Sequence, residues 1–112
     1  DFVAMDVKGP LKKYSQIAAR PVNLAAIEES LKLIKTINHE FRTTIVKGQL
    51  EVEDFEDVGR LVDGAQRFAL QYFVNGPRLV SPQFRDRTSF SEDEMARAKK
   101  IMTQHVQECV VH

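Results

Sequence analysis

Asp6 and Lys8 stand two residues apart near the start of the chain, in the run DFVAMDVK. In an extended backbone that spacing puts an acid and a base on one face. Such a pair at the C-terminal mouth of a strand is where α/β folds place their ligands. It could also work as an acid/base couple, or be an ordinary Asp–Lys contact at a strand end. Arg42, in EFRTTIV, is a third candidate. An arginine directed inward from a strand needs a carboxylate or an anionic ligand group as its acceptor. The alternative for it is a buried ion pair.

Other chemistries lack their residues. His39, His105 and His112 share no metal-ligand spacing, and Cys109 is the one cysteine, so an internal disulfide is excluded and a thiolate metal site is not built from it. No glycine-rich phosphate loop follows a strand, which argues against a nucleotide-binding Rossmann unit or a P-loop. No Ser/His/Asp or Cys/His set stands at the strand ends, and no nucleophile or second carboxylate supports Asp6 and Lys8 as an orphan enzyme.

The elements that position these residues follow from periodicity. Phe2 to Val7 is a short apolar run stopped by Gly9-Pro10, hence a strand, with Phe2, Ala4, Asp6 and Lys8 on one face and Val3, Met5 and Val7 on the other. Leu11 to Arg20 is expected to be a loop or a short basic helical turn. Asn23 is an N-cap, and Leu24, Ile27, Leu31 and Ile34 recur at helical spacing to about Ile37. Glu40 to Val46 is β-branched and closed by Gly48, with Arg42, Thr44 and Val46 sharing a face. Glu51 to Gly64 is the next helix, acidic at its start and ending on a natural C′ glycine. Arg67 to Phe73 is a third strand, with Ala69, Gln71 and Phe73 opposite its Phe, Leu and Tyr. Asn75-Gly76-Pro77 ends it, and Leu79 to Phe90 is irregular. Ser91 and Glu94 form a capping box for a helix to about Gln104, and Val106 to Val111 is a last short strand. Alternation of this kind predicts an α/β fold with a parallel sheet and flanking helices, either half of a small barrel or a minimal open sheet.

Composition sets outer limits. The 112 residues make one domain or part of one, and sixteen basic residues balance sixteen acidic ones. That balance gives no global field toward nucleic acid or an anionic membrane. No apolar run has the length of a transmembrane helix, and a cytoplasmic origin is expected. The chain opens directly in a strand without Met, as a piece of a longer protein would.

The segments DFVAMDVKGPLKKY, EFRTTIVKG, LQYF and LVSPQF…FSEDEM, in this order and spacing, resemble the C-terminal half of the radical-SAM activating enzymes. The nearest branch is the activating protein of anaerobic ribonucleoside-triphosphate reductase, with pyruvate formate-lyase activating enzyme as a relative. The resemblance covers essentially the whole chain. It implies three βα units of a partial TIM-type (βα)6 barrel over residues 1–112. It implies S-adenosylmethionine beside Asp6, Lys8 and Arg42, with Lys8 as the catalytic-site residue near the methionyl group and the incoming glycine loop. It also implies a monovalent cation held by Asp6 and the Ala4 carbonyl, and Gln71 and Phe73 where the family supports the adenosine. Two departures stand out: Val74 occupies a place where some relatives carry histidine, and VKG replaces the common VPG. The family's 4Fe–4S cluster requires three cysteines in a C-x-x-x-C-x-x-C loop, which this chain lacks along with the glycine-rich strand. The parent would be an oxidoreductase that generates a glycyl radical on a partner such as anaerobic ribonucleotide reductase, while this chain alone is expected to be inactive and to form a homo-oligomer. The rival is a self-contained α/β binding or regulatory module without enzymatic activity.

Overall fold

Alternate apolar residues in β2 and β3 give the sheet a dry side, and the helices collect on it. The computed structural model describes residues 2–73 and 88–112, in the order β1 (Phe2–Asp6), α1 (Leu11–Ala18), α2 (Leu24–Ile34), β2 (Asn38–Ile45), α3 (Asp54–Leu61), β3 (Arg67–Tyr72), α4 (Glu92–Met102) and β4 (Glu108–Val111). All neighbouring strands are parallel and lie in sequence order, β1-β2-β3-β4. Phe41, Ile45, Phe68 and Leu70 are fully buried, in one cluster with Tyr14 of α1, Leu31 of α2, Phe55 and Val58 of α3, and Met95 and Met102 of α4. One core therefore serves four helices on one face of one sheet, an α/β fold. The expected Asn75-Gly76-Pro77 turn, Val74, LVSPQF and most of the irregular Leu79–Phe90 segment lie outside the described residues.

Local chemistry explains most helix starts. Asn23 accepts from the Ala26 N–H at 3.2 Å, and Ser91 and Glu94 close the capping box. Several boundaries differ from the periodicity: α2 ends at Ile34, α3 at Leu61, and β4 begins at Glu108 rather than Val106. Leu11–Ala18 is a helix rather than a loop or single turn. It lacks a side-chain cap, and is anchored instead by Tyr14 in the core with Leu11 and Ile17 packed against it, while Lys12–Asp57 at 3.1 Å and Lys13–Asp54 at 2.7 Å tie it to α3. Helix α3 begins at Asp54 because the Asp54 carboxylate turns back to accept from the Glu51 N–H at 2.8 Å, making a turn of the preceding residues. Strand β2 starts early, at Asn38, where Phe2 is its register partner.

Gly59 sits mid-helix in α3, where glycine costs about 1 kcal/mol relative to alanine. The His105 ring lies against it, so a Cβ there would collide with the imidazole. His105 in turn pairs with Asp63 at 3.1 Å. Ser89 staples the C-terminal ends of two strands: its hydroxyl donates to the Ile45 carbonyl at 2.7 Å and accepts from the Phe73 N–H at 3.0 Å.

Candidate functional site

The face of the sheet away from the helices carries Ala4 and Asp6 from β1, Glu40, Arg42 and Thr44 from β2, Arg67, Ala69 and Gln71 from β3, and Glu108 and Val110 from β4. Strand parity explains the set, since every second residue of β2 and β3 is spent on the core. No described helix packs on this side. Asp6, Lys8 and Arg42 lie on it together, Asp6 and Lys8 at the C-terminal end of β1 and Arg42 in the middle of β2.

Asp6 and Lys8 pair at 2.5 Å, each side chain about half exposed (46 %). Arg42 is the register partner of Asp6 on β2. Its Nε nevertheless donates to Glu40 Oε2 at 2.5 Å. Arg67 Nε donates to the other oxygen, Oε1, at 2.6 Å, and its Nη1 donates to Glu108 at 2.7 Å. Glu40 is thus a nearly buried carboxylate (8 % exposed) gripped by two guanidinium groups. Burial pushes its pKa up, but the hydrogen bonds and charges of Arg42 and Arg67 together outweigh that and hold it below the usual range. The acceptor that Arg42 required is therefore a protein carboxylate.

Further along, Thr44 Oγ1 donates to Gln71 Oε1 at 3.3 Å. Phe73 stands half-buried just beyond β3, its N–H taken by Ser89. Lys47 bonds both oxygens of Glu94, and this with the Ser91 N–H brings the Glu94 carboxyl down to about 2. Gln71 and Phe73 are thus at the same end of the sheet as Asp6 and Lys8.

The implied groups fit unequally. Among the described residues, no cluster of three or more His, Cys, Asp or Glu residues could hold a metal ion. A cation at Asp6 and the Ala4 carbonyl would compete with Lys8 for the one carboxylate. An iron–sulfur cluster does not fit this chain's residues: Cys109 points into the core, 6 % exposed, and burial pushes its thiol up to about 11. The amino-acid end of S-adenosylmethionine fits better, because Asp6 offers an anion and Lys8 and Arg42 offer cations on one surface.

Sequence reasoning passed over Glu40, Arg67, Glu108 and Ser89. Glu40 and Arg42 are two apart in a strand, so their shared face was available as a signal. Ser89 carried none. Comparison with protein-family models, curated proteins and solved structures gives no match for this chain.

Proposed function

We propose that this chain is the C-terminal half of a radical-SAM activating enzyme, three βα units of a partial (βα)6 barrel, and that its open face receives S-adenosylmethionine. One observation carries the proposal: Asp6 and Lys8, at the C-terminal end of β1, share the uncovered face of a sequentially ordered parallel sheet with Arg42, the register partner of Asp6 in mid-β2. A twisted sheet with helices on one side only is suited to curve around its bare face, and barrels of this kind place their sites at that end.

On this proposal Lys8 lies beside the methionyl group, and Asp6 with the Ala4 carbonyl borders the cation near the carboxylate. Arg42 keeps its terminal amino groups as donors beyond the Nε bond to Glu40. Gln71 and Phe73 border the adenosine. With a 4Fe–4S cluster supplied by residues outside this chain, the cofactor would provide hydrogen abstraction from a glycine of a partner such as anaerobic ribonucleotide reductase, in a cytoplasmic enzyme. The chain's own residues bind and orient; they do not supply the electron.

Titration of the ¹⁵N-labelled chain with S-adenosylmethionine tests the site. Amide shifts at Asp6, Lys8 and Arg42 are expected, abolished by Asp6→Asn and Arg42→Gln. No shift there at millimolar cofactor would remove the site. Anaerobic reconstitution should leave no stoichiometric cluster iron on the chain, and a full complement would overturn its assignment as the cluster-free half.

A self-contained binding module is the second possibility. It is favoured by the internal pairing of Asp6, Lys8, Glu40, Arg42, Arg67 and Glu108 on the open face. An unchanged spectrum on cofactor addition, with the fold intact, would select it.

A further inference from the structure

Glu108, Arg67, Glu40 and Arg42 make a chain of alternating charge across three strands, and its two arginines are used differently. Arg67 is spent on both sides: its Nε donates to Glu40 Oε1 at 2.6 Å and its Nη1 to Glu108 at 2.7 Å. Arg42 is spent on one, through Nε to Glu40 Oε2 at 2.5 Å, and its Nη1 and Nη2 meet no acceptor among the described residues. Asp6 is the natural next link, being the oppositely charged register partner of Arg42 on β1. The two do not pair. Lys8 holds Asp6 Oδ2 at 2.5 Å instead, and Asp6 Oδ1 meets no donor among the described residues. The ladder of ion pairs on the open face is thus interrupted at one place, between Asp6 and Arg42, where both side chains are close to half exposed.

The carboxylate behind Arg42 differs from the others on this face. The Glu40 side chain is 8 % exposed, against 46 % for Asp6 and 58 % for Glu108. Each of its oxygens takes a guanidinium Nε, one from its own strand and one from β3, so the carboxylate is fixed in rotation as well as in place. The same bonds keep it ionised below the ordinary carboxyl range. A buried ion pair adds little net stability over apolar packing of the same volume, so stability alone is a weak reason for this arrangement. What it supplies is a set orientation for Arg42.

We infer that Glu40, braced by Arg67, is a positioning residue that fixes the Arg42 guanidinium so that its terminal edge, Nη1 and Nη2, is ready beside Asp6 for a ligand carboxylate. This rests on the reading of the open face as an S-adenosylmethionine site, and adds to it the part of the scaffold that prepares the site. A guanidinium has two donor edges; spending Nε on Glu40 closes one and leaves the terminal edge, which matches a carboxylate with two parallel bonds. A free arginine gives up rotamer freedom when a ligand immobilises it, which costs up to about tenfold in affinity. Here that loss is taken on folding. Asp6 Oδ1 borders the same gap and offers an acceptor to an ammonium group. An α-amino acid head group, with its anion and cation on one carbon, is therefore the chemistry that closes the interrupted ladder.

Binding of S-adenosylmethionine and of its decarboxylated form, compared by ¹⁵N amide titration of the chain, tests this. Wild type should prefer the carboxylate-bearing ligand. Glu40→Gln and Arg67→Gln should each reduce that preference on the order of tenfold, with affinity for the decarboxylated form unchanged. Arg67→Gln removes the brace while keeping both Glu40 and Arg42, and its site is 38 % exposed, so it serves should Glu40→Gln not fold. No preference in wild type, a preference unaltered in either folded variant, or equal weakening of both ligands overturns the inference and leaves the cofactor reading standing. Failure of the wild-type chain to bind either ligand removes the cofactor reading, and this inference with it.

Discussion

The two faces of this sheet are built from the same strands by taking alternate residues, yet they obey different rules. On the helix side Phe41, Ile45, Phe68 and Leu70 are wholly excluded from water, and even Thr43 is buried with its hydroxyl donated to the Val7 carbonyl at 2.7 Å. On the bare side the charges are neutralised one against another, and Asp6, Lys8, Arg42 and Arg67 remain partly in solvent. One face holds the chain folded by loss of apolar surface. The other is held by ion pairs that a ligand could exchange for its own, because half-exposed pairs contribute little to stability.

The contrast is broken most directly by truncating the dry face. Phe68→Ala should cost about 3–5 kcal/mol, a large part of the stability of a domain this size, and read out as a collapse of the thermal transition. A smaller loss should follow on the bare face at its one buried acid. Glu40→Gln deprives Arg42 and Arg67 of their carboxylate and should cost about 1–3 kcal/mol near neutral pH. Its pH signature is specific. The folded Glu40 pKa is depressed, so its contribution is present above the ordinary carboxyl range and is lost as pH falls into and below that range. Denaturant melts of wild type and Glu40→Gln should therefore converge on acidification. The smallest effect should be at Asp6→Asn, within about 0.5 kcal/mol in the same melts. If Asp6→Asn proves as damaging as Glu40→Gln, the Asp6–Lys8 pair is part of the scaffold and the two faces differ less than their burial indicates.

How far the sequence revealed this depended on whether the relevant forces were local. The parity of β1 and β2 placed Asp6 and Arg42 on one face, and the caps at Asn23 and Ser91 were readable because each capping residue contacts a backbone group within three positions. Helix α1 was not readable as a helix. Leu11–Ala18 follows a proline and carries no cap, and what anchors it, the core that buries Tyr14 and the acids Asp54 and Asp57, belongs to other elements. The need of Arg42 for an acceptor was legible, while the choice between a protein group and a ligand was not, because Arg67 completes the grip on Glu40 only once β3 lies beside β2. Ser89 was invisible for the same reason: a hydroxyl that joins Ile45 to Phe73 leaves no periodic trace.

The unbroken order β1-β2-β3-β4 also has a kinetic meaning. No strand must wait for a later one to be inserted between itself and its predecessor. The sheet can grow in one direction, each βα unit adding to an edge already formed, with one loop closure per step: from Asp6 to Asn38, from Ile45 to Arg67, and from Tyr72 to Glu108. The entropy of closing such loops rises only slowly with their length, so the three steps face comparable barriers. Growth that follows chain order suits a polypeptide emerging from one end, because each new segment finds its docking edge complete when it arrives. β4, at the end of this order, is four residues long, and its Val110 and Val111 are partly exposed. β1 and β4 are the two strands with one neighbour among the described residues, so each border is a place where a further strand could be added.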